Sequence, residues 1–187
     1  AAEEFGATVR VFAPERRQAD VVDHQSVKPL GYAPRVMTQE TARVTRGGVR
    51  DLATLRASDF DAVVFPGGFG VAKSLSTWAA DGPNCTVDEH AARVLREFHD
   101  AGKPIGCSCI APVLLAKTLA PVRLTVGKAG PEKQFPYGGT VAQVTSLPGV
   151  ENVPSDATEV VVDPARRVVT TPAYMENADR FSVWTGV

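Results

Sequence analysis

The stretch Lys103-Pro104-Ile105-Gly106-Cys107-Ser108-Cys109-Ile110-Ala111-Pro112-Val113-Leu114-Leu115 constrains the fold more than any other part of the chain. A helix signal ends at Gly102, a short apolar run follows, and a cysteine stands where a second helix should begin. Pro112 falls in the first turn of that helix, where its missing N–H costs little. A residue at so sharp a strand-to-helix turn is lifted out of the sheet onto a helix N-terminus. There the dipole and the free N–H groups favour a thiolate. This is the nucleophile-elbow arrangement with cysteine in the place of serine. Cys109 can also be read as a core cysteine, a common fate for this residue. Gly106, Ser108 and the immediate helix start favour the nucleophile.

The rest of the chain alternates in a way that suits such a turn. Val9–Phe12 reads as a strand stopped by Ala13-Pro14, residues 15–30 as a polar loop with room for a hairpin, and 38–46 as a short helix ended by Gly47-Gly48. Asp61–Phe65 has the continuous apolar character of a buried parallel strand and breaks at Pro66-Gly67-Gly68-Phe69-Gly70. Thr86 and Glu89 have the capping-box form, and Val87, Ala91, Val94, Leu95 and Phe98 follow on one helical face. A helix over 110–119, a strand over 122–126, a Gly/Pro loop over 127–139 and a weak helix over 140–147 come next. Strands over 159–163 and 167–171 are joined by Asp163-Pro164-Ala165-Arg166, and a last helix begins after Ala173.

Strands alternating with helices predict an α/β fold with a doubly wound, mostly parallel sheet and a C-terminal hairpin. No linker divides residues 1–187, so one domain is expected. The opening AAEEFGATVRVF reads as the tail of a helix running into a strand. A preceding strand is therefore expected upstream of residue 1, and both ends of the fold look clipped.

Composition narrows the function. A net charge of −1 offers neither the basic face of a nucleic-acid binder nor a charged tail for a membrane surface. No apolar run approaches a membrane span. Three cysteines, Cys85, Cys107 and Cys109, are an odd number without framework spacing, which favours a reducing cytoplasm over a disulfide scaffold. The N-terminus has no signal-peptide shape, although an organellar targeting segment upstream of residue 1 remains open. Small molecules and other proteins are left as partners.

The chemistry-bearing residues are few. Cys107 and Cys85 read as structural. Metal ligation by the Cys-x-Cys pair would need further ligands, and the three histidines offer no close pairing, so no metal is expected. Pro66-Gly67-Gly68 ends a strand, and ligands of open α/β sheets gather at such ends. The N–H of Gly68 can be aimed at a developing oxyanion beside that of Ile110, or the segment can be an ordinary turn. It lacks the Walker spacing of a phosphate loop. His90 and His99 lie off the apolar face of their helix. His24, beside Asp23, is a candidate pocket residue or a plain loop residue. No histidine follows Cys109, which rules out a triad ordered with histidine after cysteine.

These residues resemble the ElbB family of class I glutamine-amidotransferase-like proteins, a branch of the PfpI-like superfamily. The resemblance is carried by Val64–Ser76, Asp81-Gly82 with Cys85-Thr86-Val87, Glu97-Phe98-His99, Ala101–Pro104, Cys109-Ile110-Ala111-Pro112 and Val169–Met175. It covers nearly the whole chain. It implies a flavodoxin-like three-layer sandwich, a reactive Cys109 with Gly68 and Ile110 as oxyanion donors, no cofactor, and a homodimer. A glutaminase would need His-x-Glu where this chain has Thr171-Pro172-Ala173-Tyr174-Met175, so glutamine hydrolysis is disfavoured. Glyoxalase-type members pair the cysteine with a glutamate after the first strand. Glu3 and Glu4 sit too late for that role, so the glutamate is expected upstream of residue 1. The expectation is a glyoxalase-like enzyme acting on small 2-oxoaldehydes, glyoxal or methylglyoxal, without glutathione. The alternative is a non-catalytic redox-sensing or partner-regulating module, linked to isoprenoid metabolism.

Overall fold

The computed structural model describes residues 2–23, 25–26, 28–31 and 35–187. They fall into two compact units, Ala1–Leu55 and Arg56–Val187.

In the first unit, strand β1 (Val11–Ala13) is followed by the short strands β2 (Val22–Asp23) and β3 (Lys28–Pro29), helix α1 (Met37–Thr45) and strand β4 (Val49–Asp51). β1 pairs in parallel with β4, Val11 opposite Val49, and β2 pairs antiparallel with β3. β1 begins two residues later than the apolar run suggests and reaches Ala13, beside Pro14, which has no N–H to give a ladder. β4 escaped the sequence pattern, because three residues are too few to show alternation. α1 stops where Arg46 turns left-handed, φ 62°.

The second unit carries strand β5 (Val63–Phe65), a π-type turn over Val71–Leu75, helices α2 (Trp78–Asp81) and α3 (Glu89–Asp100), strand β6 (Ile105–Ser108), helix α4 (Pro112–Thr118) and strand β7 (Val122–Leu124). Helix α5 (Gly139–Thr145), strands β8 (Val150–Asn152), β9 (Val161–Asp163) and β10 (Val168–Thr171), a 3-10 turn over Ala173–Met175 and helix α6 (Arg180–Gly186) complete it. β5, β6 and β10 run parallel, and β9 closes the sheet antiparallel to β10, in the order β5-β6-β10-β9. β7 and β8 form a separate parallel pair. The mostly parallel α/β sheet and its C-terminal hairpin follow the sequence pattern. β8 does not, because its Val150-Glu151-Asn152 reads as loop.

The register sorts the four strands into two rows. Phe65, Cys107, Thr170 and Val161 lie side by side on one face, each 5% exposed or less. Val64, Gly106, Val169 and Val162 form the row on the other face, where Val64 is 65% exposed. The alternating period of a strand places the two rows on opposite faces. α3 buries Ala91, Val94, Leu95 and Phe98 and packs on α4 and β6. Removing Val94, Leu95 and Phe98 from water supplies about 1.5–3 kcal/mol each.

α3 starts later than the capping-box signal implies. Its cap is Asp88, whose carboxylate accepts the N–H groups of His90 and Ala91 at 3.0 Å each. Thr86 instead donates its N–H to Thr77 Oγ1, and Val87 belongs to a bridge with Ser76 before the helix. Hydroxyls tie the segment after β7 to β10 and to Ser155. Thr170 Oγ1 accepts the N–H of Thr125 at 2.9 Å, while Thr125 Oγ1 shares a 2.7 Å bond with Ser155 and accepts the N–H of Gly127. Among the described residues, no helix is long and apolar enough to cross a membrane.

Candidate functional site

β6 ends at Ser108, and the next residue, Cys109, takes a left-handed backbone with φ 59°. A non-glycine residue is costly there, so the turn is held from outside. The N–H of Cys109 donates to the carbonyl of Thr171 at 2.9 Å, fastening the turn to the end of β10. The N–H of Ala111 returns to Ser108 at 3.0 Å, and α4 follows from Pro112. The helix thus begins two residues later than the sequence suggests, leaving Ile110 in the turn.

Gly67 closes against this turn. A Cβ at position 67 would run into Cys109 Cβ and stand 2.7 Å from the Ser108 carbonyl oxygen and 3.1 Å from Cys109 Sγ. Only glycine permits that approach. Gly68 follows with φ 97°. Its backbone amide and those of Ile110 and Tyr174 each act to lower the pKa of the Cys109 thiol. Gly68 and Ile110, named as donors from the sequence, are therefore brought together at Cys109. Tyr174 is a third donor that sequence reasoning did not single out. Its signal was the place of Thr171–Met175, directly after the strand beside β6, where open sheets collect ligand contacts. A left-handed Ala173, φ 46°, turns the chain so that the next amide reaches the sulfur.

Alkyl groups make the other wall. Cys109 packs, with Ala178, on a buried cluster of Ala157, Ala173 and Val183. This burial corrects the expected preference for thiolate. It pushes the Cys109 thiol above its ordinary value, and the Gly68, Ile110 and Tyr174 amides pull back without reversing it. The resting group is a thiol whose anion has three donors waiting. Cys107 is fully buried, with its pKa pushed up by desolvation, and Cys85 is likewise raised by burial. Both behave as structural cysteines.

His24 lies outside the described residues. His90 sits beside Glu89 at 3.7 Å, and His99 meets the Arg166 guanidinium at 3.0 Å. Among the described residues, no group of three His, Cys, Asp or Glu side chains could hold a metal ion.

A polar cleft lined by Asp156, Glu176, Asn177 and Asp179 opens beside the alkyl wall. Its carboxylates are occupied. Asp156 pairs with Lys128, Asp179 caps α6 through Phe181 and Ser182, and Glu176 accepts the N–H of Ala157 at 2.9 Å. Next to it, Thr171 Oγ1 is buried without a hydrogen-bond partner.

The arrangement can add a sulfur to an electrophilic carbon and hold the resulting oxyanion with amides that already converge. Comparison with known proteins places it among relatives. No family model matches the chain. It is 48% identical over 171 residues to the human glutamine amidotransferase-like class 1 domain-containing protein 3, mitochondrial, covering 91% of this chain and 63% of that protein. It is 45% identical to the rat ES1 protein homolog, mitochondrial, over 97% of this chain and 68% of the relative. The crystal structure of an isoprenoid biosynthesis protein with amidotransferase-like domain from Ehrlichia chaffeensis superposes with a TM-score of 0.84 at 31% identity, covering 98% of this chain and 80% of that one. The chain thus spans less than two thirds of the human relative's length.

Proposed function

The chain belongs to the glutamine amidotransferase-like class 1 family that includes the ES1 proteins, and on that premise we propose that it is a cysteine-dependent, glyoxalase-like enzyme of the ElbB type acting on small 2-oxoaldehydes such as glyoxal and methylglyoxal. The observation that carries the reading is the left-handed Cys109 at the end of β6, closed on by Gly67 and acted on by the amides of Gly68, Ile110 and Tyr174. In the proposed reaction the thiol loses its proton to a base and the sulfur bonds to the aldehyde carbon. The carbonyl π pair becomes an alkoxide, and the amides pass from sulfur to that oxygen. A base then takes the C1 proton and returns it at C2 through an enediol, leaving a thioester. Water cleaves the thioester, releasing the hydroxy acid and restoring the thiol.

The base belongs to the same proposal, and the resemblance implies a glutamate after the first strand of the family fold for that role. A homodimer and a mitochondrial location belong to the same proposal. The location rests on the names of the human and rat relatives and takes up the organellar targeting segment that the sequence leaves open beside a cytoplasmic location.

The test is glyoxal consumption by the full-length protein beside its Cys109→Ser variant. Turnover lost in the variant supports the enzyme; turnover retained overturns the mechanism.

A second reading has its own observation, a Cys109 that burial holds as the thiol, which weighs against a nucleophile. It makes the protein a non-catalytic, partner-regulating module, linked to isoprenoid metabolism as the Ehrlichia protein's name suggests, with redox sensing as the form of it that requires Cys109 to ionise. Selective Cys109 oxidation by mild peroxide, with no aldehyde turnover, would favour it.

A further inference from the structure

The segment that follows β10 crosses directly over Cys109. Its Tyr174 amide reaches the sulfur, and Ala173 and Ala178 belong to the alkyl wall. What holds this strap down is specific. Glu176 accepts the N–H of Ala157 at 2.9 Å and the side-chain amide of Gln134 at 3.4 Å. The N–H of Asn177 donates to the Gln134 carbonyl at 2.7 Å, and the Asn177 side chain to that of Lys133 at 3.2 Å. Glu176 therefore joins three pieces of chain: the strap itself, the loop at 131–138, and the loop at 155–158 that supplies Ala157 to the wall. Ala157 is 2% exposed, so its N–H has no ready replacement partner in water.

We propose that Glu176 is the positioning residue of the site, a clasp whose carboxylate fastens the strap and the Ala157 loop together and so sets how closed Cys109 is. The inference deepens the reading of Cys109 as the working thiol but does not depend on which electrophile it meets. Releasing the clasp has two opposed effects on the sulfur. It withdraws the Tyr174 donor, which slows ionisation, and it admits water past Ala157 and Ala173, which speeds both ionisation and access. Burial is the larger influence on this thiol, so uncovering wins. Asp156 and Asp179 line the same cleft, Lys128 is paired with Asp156, and Glu159 acts on Lys128 from nearby. Loss of the Glu176 charge must therefore be separated from loss of its hydrogen bond.

The experiment is alkylation of Cys109 by iodoacetamide, followed by mass spectrometry across a pH series on the full-length protein. Glu176→Ala is expected to speed alkylation about threefold or more near neutral pH and to move the midpoint of the pH profile down. Glu176→Gln, which keeps an acceptor and drops the charge, is expected to stay close to the native profile. A merely structural role would lower Tm in Glu176→Ala and leave the profile where it was, and that result overturns the clasp. So does a Glu176→Gln profile that moves as far as that of Glu176→Ala, since charge would then be the cause. If Glu176→Ala does not fold, Glu176→Asp, one methylene too short to hold both loops, decides on the same criterion. Failure of the glyoxalase reading would show as absent turnover with the alkylation pattern intact.

Discussion

Cys109 and Thr171 are joined through their backbones, the cysteine N–H donating to the threonine carbonyl at 2.9 Å, while the threonine's own hydroxyl is buried with no partner. The useful part of Thr171 is thus its main chain. Thr171→Val keeps the backbone bond and the shape of the side chain and removes the unsatisfied oxygen. The variant is expected to be as stable as the native chain or more so, by up to about 1 kcal/mol. Calorimetry should show Tm unchanged or raised by about 2–4 °C. A clear fall would mean that the hydroxyl has a partner in solution.

Gly67→Ala should be costly. The added methyl meets Cys109 Cβ and stands 2.7 Å from the Ser108 carbonyl, which is backbone and cannot swing aside. Overpacking of this kind costs about 1–3 kcal/mol. Denaturant unfolding should show a lower midpoint, and alkylation should show a Cys109 displaced from its three amides. Gly68→Ala tests a different term, since open space surrounds its Cβ position and only its φ of 97° opposes the change.

Alkaline stability follows from the thiols. Burial raises the pKa values of Cys107, Cys109 and Cys85 above the ordinary thiol value of 9.0. A group protonated longer in the folded state contributes stability that is whole below the unfolded pKa and is lost as pH rises through the folded one. Tm is therefore expected to hold to about pH 8 and to fall progressively above about pH 9. Cys109→Ser should flatten part of that fall.

Asp88→Ala tests where α3 begins. Two N–H groups lose their acceptor, a change worth about 1 kcal/mol. Thr86→Ala should cost much less, because the Thr86 contact described is made by its backbone N–H. Thermal denaturation of the two variants side by side distinguishes the caps.

The elements readable in the sequence were those with a long apolar period or a backbone constraint. α3 repeats its apolar face over three turns, β5 is a bare apolar run, and Cys109 announces itself through the glycines and prolines around it. β4 and β8 were not readable, because three residues cannot display a period. The α3 cap was misplaced by two residues because Thr86 and Asp88 both have capping chemistry, and tertiary pairing of Thr86 with Thr77 decides between them. In the site, Gly68 and Ile110 could be named because they flank chain breaks. The Tyr174 amide escapes because its place beside Cys109 depends on β10 lying next to β6, a sheet order that the sequence does not display. Glu176 was equally silent, since its role depends on bringing Gln134 and Ala157 within reach of one carboxylate.

The left-handed backbone of Cys109 carries a trade-off. At φ 59° a side chain is paid for with roughly 1 kcal/mol of strain that glycine would not incur. A drift from cysteine to glycine at 109 would relieve that strain while erasing the thiol. Against that strain the fold sets the packing of the cysteine side chain on Ala157, Ala173 and Val183. The cysteine's presence at the turn sets a sulfur at the end of β6, covered by Ala157 and Ala173, so that whatever uncovers it also decides when it can be met.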